Sequence, residues 1–220
     1  MKMSISLWSG DLTNLGEVIR TSEEYADYFH FDVADGHFIP NFLFFPDLIK
    51  ALRPLTPVPF DVHLMIEEPE RFISVFIDAG ADILAIHPKA CKNPEGTLVK
   101  IKEHGRKASI VLDSHVPAEK IKMFAHLIDF VVVMGTPTGV KTCSLLPETY
   151  NKIRKIKKYL LDAKRENVQI IADGGIRKET VPKLARAGAD IFVLGSLFFK
   201  NRYDQITNWL RVLGSDKPLV

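Results

Sequence analysis

Two histidines and two aspartates carry the most distinctive chemistry in this sequence. His30 and Asp32 stand two apart in Phe29-His30-Phe31-Asp32-Val33, an alternating run that reads as a β-strand. An imidazole and a carboxylate therefore point to one face, and Phe29, Phe31 and Val33 to the other. The run Phe60-Asp61-Val62-His63-Leu64-Met65 repeats the pattern with His63. A third run, Val168 to Asp173, ends in a carboxylate just before Gly174-Gly175. A single buried histidine is more often a hydrogen-bonded core residue than a ligand. Four such groups at equivalent strand ends point instead to one divalent metal. A two-histidine, two-aspartate set has no strong preference among Zn, Mn, Fe and Co.

The elements that must position these groups alternate regularly. Strand-like runs start near residues 3, 28, 60, 83, 107, 130, 168 and 191. Helix-like segments fall at 14–26, 45–53, 69–79, 93–104, 118–127, 147–166, 180–187 and 203–213. Eight alternations predict an α/β fold, a single (β/α)8 TIM barrel over residues 1–220. The rival, an open doubly wound sheet, lacks a Gly-rich turn after the first strand. Ala79-Gly80-Ala81-Asp82-Ile83 recurs as Ala187-Gly188-Ala189-Asp190-Ile191, each copy a helix stop followed by strand re-entry. Successive strand starts lie 23 to 25 residues apart, except in the second unit (32) and the sixth (38). The excess falls partly in the loops at 34–44 and 135–146, on the face where such barrels do their chemistry. Two enlarged loops there predict walls or a lid over a small substrate.

Other residues at this face have narrower roles. Gly174-Gly175 and Gly195-Ser196 follow the seventh and eighth strands, where backbone N–H groups commonly receive a phosphate. Ser6 ends the first strand and could hydrogen-bond a substrate hydroxyl, while Met65 and Met134 end theirs with polarizable thioethers. Asp61 shares a face with His63, lower in the barrel, either orienting a ligand or satisfying a buried network; the structural role is favoured. Asp35-Gly36 reads as a turn, and His37 as an ordinary loop residue. With 46% hydrophobic and 25% charged residues the composition is that of an ordinary globular protein, and a net charge of +2 gives no reason to expect nucleic acid. The basic run Lys152, Arg154, Lys155, Lys157 and Lys158 is expected on a solvated helix face. Cys91 and Cys143 have no metal-ligand spacing, and no apolar run is long enough for a membrane span, so the expected compartment is the cytoplasm.

Taken together, these motifs resemble the ribulose-phosphate 3-epimerase family of (β/α)8, ribulose-phosphate-binding barrels. The resemblance runs from Ser4 to about Leu213. It rests on His30-Phe31-Asp32-Val33-Ala34-Asp35-Gly36-His37-Phe38-Ile39-Pro40-Asn41, on Asp61-Val62-His63-Leu64-Met65, on Asp173-Gly174-Gly175-Ile176 and on Gly195-Ser196. The resemblance implies that His30, Asp32, His63 and Asp173 hold the metal and that Ser6, Met65 and Met134 meet the substrate. It also implies that Asp32 and Asp173 exchange the C3 proton of a ketose phosphate through a metal-stabilised enediolate, D-ribulose 5-phosphate giving D-xylulose 5-phosphate or a close relative. Homo-oligomers are expected on the same ground. Three departures bear on the substrate. The family's Gly-rich lid after the sixth strand is replaced by Gly135-Thr136-Pro137-Thr138-Gly139-Val140-Lys141-Thr142-Cys143, in which Thr138, Gly139 and Lys141 could still bind an anion. Ala34 stands where the family has methionine, and Asp113-Ser114 where many members have Asn-Pro. Alternatives therefore stay open: a 3-epimerase of another sugar phosphate such as D-allulose 6-phosphate, a non-catalytic sugar-phosphate sensor, or a decarboxylase or aldolase using a lysine, for which Lys89 is the nearest candidate.

Overall fold

A computed structural model describes residues 1–215; positions 216–220 of the expected domain lie outside the described residues. Eight parallel strands form the barrel: β1 Lys2–Ser6, β2 Tyr28–Asp35, β3 Phe60–Met65, β4 Ile83–Ile86, β5 Lys107–Leu112, β6 Phe130–Met134, β7 Gln169–Asp173 and β8 Ile191–Leu194. Each starts within one residue of the position expected from alternation. β1 pairs with both β2 and β8, which closes the sheet. The intervening helices are α1 Leu15–Ser22, α2 Pro46–Leu52, α3 Ile73–Asp78, α4 Pro94–Glu103, α5 Ile121–Phe124, α6 Thr149–Asp162, α7 Val181–Ala187 and α8 Tyr203–Ser215. Several short elements were not anticipated, and two bear on the site. Phe42–Leu43 folds back antiparallel on the end of β2, and a one-turn helix, Ser196–Phe199, follows β8.

Strand alternation separates the interior into two layers. Phe29, Phe31 and Val33 of β2, with Phe60, Val62 and Leu64 of β3, point outward and pack under the helices. Each such side chain stabilises the fold by about 1.5–3 kcal/mol on full burial. Inside the barrel, Ile83, Ala85, Val111, Phe130, Val132, Ile171, Ile191 and Val193 form a second apolar cluster. His30, Asp32, Asp61 and His63 share that interior with it, on the inward face of β2 and β3. Charges buried there require partners. The enlarged loops after β2 and β6 meet above the mouth, since a Cβ added at Gly139 would fall 2.5 Å from Ile39 Cδ1.

One expectation fails on α6. Lys152 leaves the solvated face expected of the basic run and is buried, whereas Arg154, Lys155 and Lys158 remain exposed. It lies on the same stripe as Ile156 and Leu160, four and eight residues on, so its stem is drawn into the core. Its amine donates to the carbonyls of Leu112 (3.2 Å) and Asp113, capping the end of β5. Burial pushes that amine down to about 8. Among the described residues no helix is long and apolar enough to cross a membrane.

Candidate active site

Register places the four predicted ligands together. In the β2–β3 pair, Asp32 lies opposite His63 and His30 opposite Asp61; β7 delivers Asp173 beside Met134. His30 Nε2 lies 3.3 Å from Asp32 Oδ1 and 3.9 Å from Asp173 Oδ2. His63 Nδ1 lies 3.6 Å from Asp32 Oδ1 and 3.7 Å from Asp173 Oδ2. One donor atom from each of the four residues falls within 4.8 Å of all the others. Donors about 2.1 Å from one ion stand roughly 3–4 Å apart in tetrahedral geometry, which matches these contacts. His63 Nδ1 is moreover buried with no hydrogen-bond partner among the described residues. A cation would satisfy it, so the set fits a divalent metal.

The electrostatics agree. Burial disfavours a charged imidazole at His30, but the carboxylates of Asp32 and then Asp61 outweigh it and hold His30 well above its ordinary value. Burial works against ionisation at Asp32 too, yet His30 and His63 keep its carboxyl well below the usual range. Asp173, farther from the imidazoles, is raised by burial. A protonated His30 thus supplies positive charge between buried carboxylates, and a cation entering the cluster would displace that proton.

Asp61 sits in the buried network favoured from sequence, and one of its partners is a predicted ligand. Its Oδ2 accepts from His30 Nδ1 at 2.8 Å and from Ser4 Oγ at 3.1 Å, which leaves His30 Nε2 facing the cluster. His87, Asp113 and Arg177 were not singled out as site residues from sequence. His87 is fully buried just past β4, its ring stacked on His63 at 5.0 Å and 19° with the two Nε2 atoms 2.8 Å apart. Burial pushes His87 down to about 4, so it is neutral. Asp113 stands 3.3 Å from His87 Nδ1, and its other oxygen pairs with Lys89 at 3.1 Å. Lys89, the amine considered for Schiff-base chemistry, is therefore committed to Asp113.

A cavity opens above the cluster, lined by Asp32, His63 and Asp173 and by Ser6, Met65 and Met134. Ser6 Oγ donates to Asp32 Oδ2 at 3.0 Å. Gly174, Gly175, Gly195, Ser196, Gly139 and Lys141 also line it, and so does Arg177, whose guanidinium donates to Ile176 O. Lys141 reaches across the mouth to Trp8 O (2.7 Å), its Nζ 4.2 Å from the centre of that ring. Thr138 departs from the expected pattern. It does not line the cavity, and its hydroxyl donates to Asp113. Asp35 shapes the turn as expected, accepting from His37 N and Phe38 N, and the His37 side chain is exposed.

Fold and site together define a (β/α)8 barrel with a buried two-histidine, two-aspartate constellation at the C-terminal mouth. Residues 2–199 match the model of the Ribulose-phosphate 3 epimerase family. The ribulose-phosphate 3-epimerase of Bacillus subtilis (strain 168) is 40% identical over 200 residues, covering 90% of this chain and 92% of that protein. The ribulose-phosphate 3-epimerase of Escherichia coli (strain K12) is 34% identical over 196 residues, covering 88% and 87%. The chain belongs to the ribulose-phosphate 3-epimerase family, which places it among isomerases acting on carbohydrates. Among solved structures, 3-keto-L-gulonate-6-phosphate decarboxylase from Vibrio cholerae superposes with a TM-score of 0.75 at 15% identity, covering 99% of each chain. That likeness concerns the barrel alone.

Proposed function

We propose that the chain epimerises a ketose phosphate at C3, interconverting D-ribulose 5-phosphate and D-xylulose 5-phosphate or close relatives, with one Zn, Mn, Fe or Co ion. The observation that carries this reading is the convergence of two carboxylates, Asp32 and Asp173, from strands on different sides of the barrel. Both line one cavity, and both approach the same imidazole nitrogen at 3.6 and 3.7 Å. Epimerisation requires one group to take the C3 proton and another to return a proton to the opposite face. One carboxylate removes the proton, the C–H electron pair moves into an enediolate, and the other carboxyl delivers its proton to C3. The two groups sit in unequal surroundings, Asp32 3.3 Å and Asp173 3.9 Å from His30 Nε2, which suits that division. Ser6 holds Asp32 in place, and Met65 and Met134 exclude water from the reacting carbon. A divalent cation held by His30, Asp32, His63 and Asp173 would supply Lewis acidity against charge growing on the substrate oxygens. Gly174, Gly175, Gly195 and Ser196 would receive the phosphate, with Lys141 and Arg177 adding positive charge at the rim.

Proton NMR in D₂O tests this with metal-loaded protein, D-ribulose 5-phosphate and D-allulose 6-phosphate, each with and without chelator. The expected result is chelator-sensitive deuterium entry at C3 with appearance of the epimer, and the faster sugar names the substrate. Bound metal without exchange on either sugar would overturn the catalytic reading and favour a sugar-phosphate sensor.

A further inference from the structure

The stacked pair His63–His87 poses a problem of hydrogen placement. Two ring nitrogens 2.8 Å apart share one hydrogen, so one Nε2 must donate and the other must be bare. Asp32 and Asp173 stand near His63 Nδ1 and draw the hydrogen of His63 toward that side. There it would occupy the direction a cation needs.

The opposite bias comes from Asp113. Its carboxylate is buried, paired with Lys89 at 3.1 Å, and accepts from Thr138 of the loop after β6. The Lys152 amine grips the backbone carbonyl of the same residue and fixes its position. That carboxylate stands 3.3 Å from His87 Nδ1, outside hydrogen-bond geometry, and its negative charge favours a hydrogen on that nitrogen over one on Nε2. His87 Nε2 is then bare and must accept, His63 must donate from Nε2, and His63 Nδ1 is left free toward the cluster.

We propose that Asp113, acting through His87, is a positioning residue that fixes His63 with its Nδ1 lone pair directed at the metal site. This rests on the metal reading above. It also gives the altered residues 113 and 138 a shared purpose, since the loop over the mouth holds the carboxylate that orients a ligand.

The test measures Co²⁺ binding to metal-free wild type, His87→Phe, Asp113→Leu and Asp113→Asn by chelator competition, together with the visible spectrum of each Co²⁺ form. Circular dichroism establishes which variants fold. Replacing such outer partners typically weakens metal affinity about 10–100-fold, and that loss is expected for His87→Phe and Asp113→Leu, with altered Co²⁺ bands. Asp113→Asn keeps an oxygen dipole facing His87 Nδ1 and should restore affinity and spectrum more nearly than the leucine. Should His87→Phe not fold, the leucine and asparagine pair at 113 decides. Wild-type affinity and spectrum in Asp113→Leu would overturn the positioning role while leaving the metal reading intact. A wild-type protein that takes up no Co²⁺ would overturn both.

Discussion

His87 should make the metal-free protein sensitive to mild acid. The ring is fully buried, and burial pushes it down to about 4, against the ordinary 6.5. Between those values the unfolded chain binds a proton that the folded chain does not, so stability falls as pH drops from 6.5 toward 4. The gap is worth about 3 kcal/mol in full, at about 1.36 kcal/mol per pH unit, and about 2.5 kcal/mol of it is lost between pH 7 and 4.5. Burial is nearly complete, so little solvent screening reduces it. Other groups titrate in the same range, and His30, held above its ordinary value, acts in the opposite direction. Comparison with His87→Phe removes their shared contribution. Urea unfolding of both proteins in chelator at pH 7 and 4.5 gives the free energies directly. The wild type should lose about 2.5 kcal/mol more than the variant over that interval. Parallel losses would refute the argument that His87 is neutral because it is buried.

Three further perturbations follow from the geometry. Asp61→Asn removes the carboxylate that fixes the His30 Nδ1 hydrogen, and should weaken metal affinity about 10–100-fold by titration calorimetry; unchanged affinity would show that Asp61 only fills space. Gly174→Ala places a side chain at φ +88°, with its Cβ inside the contact radius of Thr136 Oγ1. It should lower stability by about 1–2 kcal/mol or more, read as a reduced melting temperature, and a wild-type melt would refute the strain. Lys152→Met leaves the carbonyls of Leu112 and Asp113 without their donor and should be destabilising by about 1–3 kcal/mol in thermal melts at pH 7; an equal or higher melting temperature would show that burial of the amine outweighs its hydrogen bonds.

The cluster of two histidines and two aspartates was legible in the sequence because a strand of period two sorts its side chains without reference to anything distant. His30 and Asp32 must share a face wherever β2 lies, and a closed barrel directs that face inward. His87 was not legible in that way. Its strand, Ile83-Leu84-Ala85-Ile86, is apolar on both faces, so no alternation marks which side His87 continues. Only the pairing of His63 with Ala85 places the two rings together. Lys152 was misread for a different reason: counting charges along α6 ignores that residues 152, 156 and 160 fall on one helical stripe, information the sequence did contain.

The loop at 135–146 sits at the limit of such reading, because contacts from far along the chain set its shape. Thr138 bonds a residue 25 positions back, Lys141 one 133 positions back, and Gly139 packs on Ile39. Each anchor lands on a different part of the mouth: the residue just past β5, the turn after β1, and the loop after β2. A segment without a Gly-rich phosphate cradle can still cover the cavity if side chains rather than backbone N–H groups tie it down. Those ties bear on chemistry as well as closure. Thr138 holds the carboxylate behind His87, and Lys141 brings a positive charge to a cavity whose floor carries two aspartates. On the positioning role proposed for Asp113, this loop and His63 are linked through Thr138, and Thr138→Val should weaken Co²⁺ binding by chelator competition before it lowers the melting temperature.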